Sequence, residues 1–182
     1  MIFLEKLSPA DIIVLDSVVV DDDGSFLLSS KIEEIGFYRL RLTPDNFISL
    51  VLNSKEAVHI RAYSKQLSKD YDVSGSQHSI LLKELNDGIV RNTVQSDSLK
   101  KSYRLAEVQG TKNMDSLTAV LQQEYTRLLL ERDLFVRNFI QTNLGSLVIL
   151  SASGYLSPDK DLVLLEAIDR SLNASLPESE YV

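Results

Sequence analysis

The hydrophobic residues change period once along the chain, near Gly75, and that change restricts the fold more than any other feature. Upstream, Val, Ile, Phe and Tyr occur in short runs broken by turn residues, with apolar and polar positions alternating as they do in half-buried strands. Downstream, the apolar residues recur at three- and four-residue steps, the spacing of one face of a helix. The chain therefore reads as an α+β protein. An antiparallel β-sandwich or open barrel over residues 1–75 is followed by a helical module over residues 76–182.

In the first part the pattern predicts strands at Ile2 to Lys6, Ile12 to Val20, Ser25 to Ser29, Gly36 to Leu42, Phe47 to Leu52, Ala57 to Tyr63 and Tyr71 to Val73. Gly36 to Leu42 is the clearest. Phe37, Arg39 and Arg41 alternate with Tyr38, Leu40 and Leu42, so one face is expected to be core and the other wet. Asp21-Asp22-Asp23-Gly24 reads as a tight turn, with Gly24 free to take a positive φ.

In the second part Ile80, Leu81, Leu82, Leu85 and Ile89 define a helix, and the polar stretch Asn92 to Ser102 is expected to be a connection or bend. The strongest helical pattern runs through Leu117, Val120, Leu121, Tyr125, Leu128, Leu129, Phe135, Val136, Phe139 and Ile140, with Asn113 or Asp115 as its cap. Ser146 to Ser153 reads as a short apolar helix. The last helix is expected from Pro158 to Ala174, with the Ser157 hydroxyl as cap and Pro177 beyond its end. Residues Asn138 to Pro158 carry no charge, but Asn138, Gln141, Thr142, Asn143 and several serines interrupt them, so they read as core and no transmembrane segment is expected.

The chemistry is limited by what is missing. With no cysteine, these residues supply no thiol nucleophile, disulfide or Cys-ligated zinc. The net charge of -7 opposes nonspecific binding to nucleic acid, and none is expected as a partner. Asp21-Asp22-Asp23-Gly24 fails as an EF-hand, because the first ligand position falls on Val19 and the last on Ser30. His59 and His78 have no metal-ligand spacing; His59 belongs on the wet face of a strand and His78 near a helix cap.

Gly24-Ser25 and Gly145-Ser146 lie outside any nucleophile elbow. The carboxylate pairs Glu33-Glu34 and Asp159 with Asp161 are those of any acidic chain, and Tyr125, Phe135 and Phe139 fit a core stripe. No catalytic, cofactor-binding or metal residue is assigned, and no cofactor is expected.

The order of features is more telling than any one residue. Leu15-Asp16-Ser17-Val18, Asp23-Gly24-Ser25-Phe26, Gly36-Phe37-Tyr38-Arg39-Leu40 and Val73-Ser74-Gly75-Ser76 lead into Leu81-Leu82-Lys83-Glu84-Leu85. Phe139-Ile140-Gln141-Thr142-Asn143 with Ser146-Leu147 follows, then Leu172 through Pro177-Glu178-Ser179-Glu180-Tyr181-Val182. This succession resembles the N-terminal accessory domain, of unknown function, that precedes a thioredoxin-like domain in bacterial thiol-disulfide oxidoreductases. Two features depart from that pattern: Leu144-Gly145 stands where a proline is common, and the cysteine pair is absent.

The resemblance implies one more strand ahead of Ile2, a covalently linked thioredoxin-like domain beyond Val182, and a periplasmic or cell-envelope location. It implies a noncatalytic role: positioning that domain or recognising its protein client. The reading from the residues leaves two alternatives, a glycan- or peptide-binding module using Tyr38, Phe47 and Tyr63, and an acid-base hydrolase.

Overall fold

A computed structural model describes residues 1–109 and 114–182. The predicted cap residue Asn113 lies outside the described residues. Six strands precede four helices: β1 Ile2–Leu7, β2 Ile12–Val18, β3 Gly36–Thr43, β4 Asn46–Leu52, β5 His59–Ala62, β6 Tyr71–Ser74, α1 Gln77–Val108, α2 Met114–Thr142, α3 Ile149–Ser153 and α4 Pro158–Ser175. The protein is thus α+β, as its periodicity predicts. The strands form an antiparallel four-stranded sheet in the order β2-β1-β3-β4 and a separate β5-β6 pair, and no barrel closes.

The alternation in β1, β3 and β4 sorts their side chains onto two faces. On one face Ile2, Leu4, Tyr38, Leu40, Ile48, Leu50 and Leu52 form an apolar cluster with Leu67 and Tyr71, and Val58, Ile60, Ala62 and Val73 of the β5-β6 layer pack against it. The opposite face meets the helices. Ile35 and Val51 join Leu82, Leu85, Val136, Phe139, Ile140, Leu147, Val148, Ile149, Ala152, Ile168 and Leu172 in a second cluster, so strands and helices share a core. The uncharged stretch behaves as expected, with Leu147, Val148, Ile149 and Ala152 wholly buried. No described helix is long and apolar enough to cross a membrane.

Two expectations fail for stated reasons. Ser25 to Ser29 forms no strand. After the Asp21–Gly24 turn the chain leaves the plane of the sheet and packs Phe26, Leu28 and Ile32 against its apolar face. Burial of those side chains outweighs strand pairing, because water can replace the hydrogen bonds that are given up. Nor does Asn92 to Ser102 bend: α1 continues through it to Val108. Those residues include no proline or glycine, and the hydroxyls that could compete with the backbone turn inward on it, Thr93 to the Ile89 carbonyl and Ser102 to that of Ser98. Alongside, the Asn92 amide donates to the Leu128 carbonyl of α2 at 2.7 Å. At 1.5 Å per residue, α1 is about 48 Å long. Val120, expected in the apolar stripe, is exposed because it sits on the arm of this helical hairpin, beyond the main core.

The start of α4 also differs. The Ser157 hydroxyl makes no cap bond; Asp161 instead accepts a hydrogen bond from the Ser157 amide at 2.9 Å, with a break in helical geometry at Asp161.

The sheet edge and the first turn of α1 are fastened at one residue. β4 is an edge strand, and at Val51 its outward N–H donates to Ser79 Oγ at 3.2 Å. The Val51 carbonyl accepts from Ser79 Oγ at 2.8 Å and Ser76 Oγ at 3.0 Å, while Ser76 also caps the helix through the Ser79 amide. The helix start thereby occupies hydrogen-bonding positions that would otherwise leave the edge open. Ser79 is wholly buried. Ser79→Ala is expected to lower stability by about 1–3 kcal/mol, since the Val51 amide would be left without a partner. A denaturant midpoint equal to that of the parent chain would contradict this.

Candidate functional site

A large space in the strand half lies between the two β layers. It measures about 480 Å³ and is lined by Leu4, Leu40, Leu50 and Leu52 of the main sheet, by residues 24–28 of the crossing segment, and by residues 56–60 at and before β5. Such a volume lies within the range of small-ligand pockets. At its rim Ser25 donates from its amide to Asp23 Oδ1 at 2.9 Å and from its hydroxyl to Asp21 Oδ2 at 3.2 Å. The Ser25 amide is the largest influence holding the Asp23 carboxyl below the usual carboxylate range. Glu56, also on the rim, accepts from the Asn53 amide at 2.9 Å.

Across the sheet, a buried carboxylate is clamped between two arginines. Register places Glu5 of β1 opposite Arg39 of β3, one pleat from Arg41. Glu5 is 2% exposed. Its Oε1 accepts from Arg41 Nε at 2.8 Å and its Oε2 from Arg39 Nε. The Arg41 hydrogen bond is the largest influence and, with the help of Arg39, holds the carboxyl below its ordinary pKa despite the opposing effect of burial. Arg39 lies over the Phe47 ring at 5.5 Å and Arg41 over Phe3 at 4.4 Å, so each guanidinium is held between an aromatic face and the shared carboxylate. The face expected to be wet is therefore a salt-bridged layer at one end and helix-covered at the other.

A third feature lies at the start of α4. Arg132, Arg137 and Lys160 meet Asp133 and Asp161 around a pocket of about 140 Å³. Arg137 Nη2 pairs with Asp161 Oδ1 at 2.9 Å, and the Nε atoms of Arg132 and Arg137 are buried without a hydrogen-bond partner. Because the carboxylates offset most of the positive charge, the arrangement suits a water or one small anion. Farther out, Leu99, Tyr103, Leu121 and Tyr125 line a cleft of about 400 Å³ between the arms of α1 and α2.

The residues singled out from sequence do not converge. His59 is exposed, as its strand position implies, while His78 sits in the first turn of α1 with Nδ1 3.4 Å from Ser146 Oγ. No cluster of three or more His, Cys, Asp or Glu suited to a metal occurs among the described residues. Glu33 pairs with Lys31, Glu34 with Lys6 and Asp161 with Arg137, so these carboxylates are held by separate cations. Phe139 is buried and Phe135 fills the space beside Gly88, as expected of a core stripe, whereas Tyr125 borders the cleft of the helical arms. Tyr38 is buried, Phe47 is half-buried beneath Arg39, and Tyr63 is exposed, so these rings form no common platform.

Sequence reasoning missed the Glu5, Arg39 and Arg41 cluster; its signal was an acid following the apolar run Ile2-Phe3-Leu4 in one strand, with two alternating arginines in another. Against known proteins, no family model matches the chain, and no curated protein or solved structure matches it.

Proposed function

We propose that the chain is a noncatalytic accessory domain of an envelope thiol-disulfide oxidoreductase, which positions a thioredoxin-like domain following Val182 or recognises that domain's client. The β part is read as a reduced sandwich, the β5-β6 layer serving as its second sheet. The motif succession described above supports this reading, and the complete absence of cysteine agrees with it, because thiol-disulfide exchange needs a thiolate from elsewhere.

The observation that carries most weight is how the last residues are held. Glu180 pairs with Lys6 at 2.7 Å, Tyr181 donates its hydroxyl to the Leu7 carbonyl at 2.8 Å, and the Phe37 amide donates to that same hydroxyl oxygen at 3.3 Å. The Tyr181 ring meets Phe37 edge-on at 5.3 Å, and burial is the main cause pushing its hydroxyl up to about 12. A domain attached beyond residue 182 would leave the strands in a fixed direction rather than on a free tether.

The purified chain is expected to reduce insulin no faster than buffer, whereas the full-length protein does so readily. Reduction by the chain alone would overturn the reading. A peptide-binding module is the second reading, and the inter-layer cavity favours it over a glycan platform of aromatic rings.

A further inference from the structure

The inter-layer cavity has an unusual boundary. On one side is the crossing segment, whose inward positions Phe26, Leu28 and Ile32 alternate with exposed Leu27, Ser29 and Lys31 as in a strand. Yet from residue 26 to residue 33 its main chain makes no backbone hydrogen bond among the described residues; its one bond is from the Ser29 amide to Asp16 Oδ2 at 3.3 Å. On the other side is β5, which pairs with β6 alone and so has one free edge. Consecutive residues of both segments line the same space, Gly24 to Leu28 and Glu56 to Ile60. Two lengths of backbone with unused donors and acceptors, one of them the strand β5, thus flank an apolar cavity. Both stretches are exposed or half-buried, so water serves these groups in the free chain; an added strand can replace that water in series, whereas a ligand with side chains alone cannot.

We propose that this cavity receives an extended segment of another protein, inserted as a strand beside β5 and the crossing segment, with apolar side chains at alternate positions and basic residues at the end nearest Asp21–Asp23. Alternation follows from the geometry: a strand inserted over the Leu4, Leu40 and Leu50 face directs every second side chain into it. The sign of charge follows from the rim. Gly24 and Ser25 line the cavity next to three exposed aspartates, of which Asp22 has no ion-pair or hydrogen-bond partner among the described residues, and Glu56 adds a fourth acid. A cationic end is attracted there, and an acidic one is repelled. The inference goes beyond the accessory-domain reading and is tested on this chain alone, so it stands or fails whether or not a redox domain follows.

The probe is a synthetic peptide of alternating valine and threonine with two lysines at one end, its binding measured by calorimetry. Three comparison probes separate the causes: the same peptide N-methylated at alternate amides, a version ending in two glutamates, and lauric acid. Saturable binding is expected for the lysine peptide. N-methylation should weaken it about tenfold or more, since a few strand hydrogen bonds are lost, and the glutamate version should also bind more weakly. Leu28→Glu, which puts a charge into the cavity, should abolish binding. Asp22→Lys, on an exposed turn where the fold is not at risk, should weaken the lysine peptide while leaving thermal unfolding unchanged. Equal binding of the N-methylated peptide, or lauric acid displacing the lysine peptide, would show a merely greasy cavity and overturn the proposal. So would no binding of the lysine peptide, or an Asp22→Lys variant that binds it as tightly as the parent.

Discussion

Replacing Glu5 with leucine is expected to cost about 3–5 kcal/mol, since it leaves Arg39 and Arg41 half-buried with their shared carboxylate gone. Most of that loss belongs to the orphaned charges rather than to the pair itself. Substituting all three residues by apolar side chains of similar size (Glu5→Leu, Arg39→Met, Arg41→Met) should therefore recover most of the stability. Urea denaturation of the single and triple variants distinguishes the cases. A triple variant no better than the single one would mean that the salt bridges themselves hold the strands in register.

The same carboxylate gives the protein an acid-sensitive component. The folded pKa of Glu5 is depressed below its ordinary 4.5, so the stabilisation is fully present above that value and is lost as pH falls through the folded pKa. Stability should fall with acid below about pH 4.5 in the parent chain, with a shallower slope in the triple variant.

The second large effect is expected at Gly75, between β6 and the start of α1. Its φ is +83°, and a Cβ there would lie 1.9 Å from the carbonyl oxygen of Ala57. Gly75→Ala combines left-handed strain with a collision against the backbone of the segment leading into β5, and a loss of more than about 4 kcal/mol is expected. Relief requires moving either β5 or the Ser76 cap, and the latter would undo the fastening of α1 to Val51.

Gly24 supplies the control. Its φ is +86°, but nothing lies within 4 Å of the Cβ position. Gly24→Ala should lose only about 1–2 kcal/mol, the backbone cost alone. Equal losses at the two sites, read from chemical denaturation, would remove the steric part of the argument.

Many elements were legible in the sequence because their causes are local. The alternation of Phe37 to Leu42 predicts β3 and the apolar face that lies on the inter-layer core. The three- and four-residue steps from Leu117 to Ile140 predict α2, and Ser157-Pro158 marks the start of α4. Where apolar positions fall silent, the reading weakened. Asn92 to Ser102 offers no stripe to follow, and the continuity of α1 there comes from its antiparallel neighbour α2, whose Leu128 carbonyl accepts from Asn92. Ser25 to Ser29 has a strand's alternation, but the pattern is equally satisfied by crossing a sheet face as by pairing along its edge.

The candidate sites were scarcely visible, because each joins residues far apart in the chain. Glu5 meets Arg39 and Arg41 only when β1 and β3 pair in one register, and a slip by one residue would send the acid to the apolar face. The inter-layer cavity exists only because the crossing segment and β5 face each other over the main sheet. Tyr181 reaches Leu7 across almost the whole chain.

The order of residues was sufficient to establish a chain without thiol chemistry, built of strands and then helices, with the Asp21–Gly24 turn in place. Periodicity and turn preference operate over a few neighbours and can be read directly. Folding alone selected which strand edges are paired, which are left open, and where a charge is enclosed, because those outcomes arise from competition between apolar burial and hydrogen bonding among distant segments.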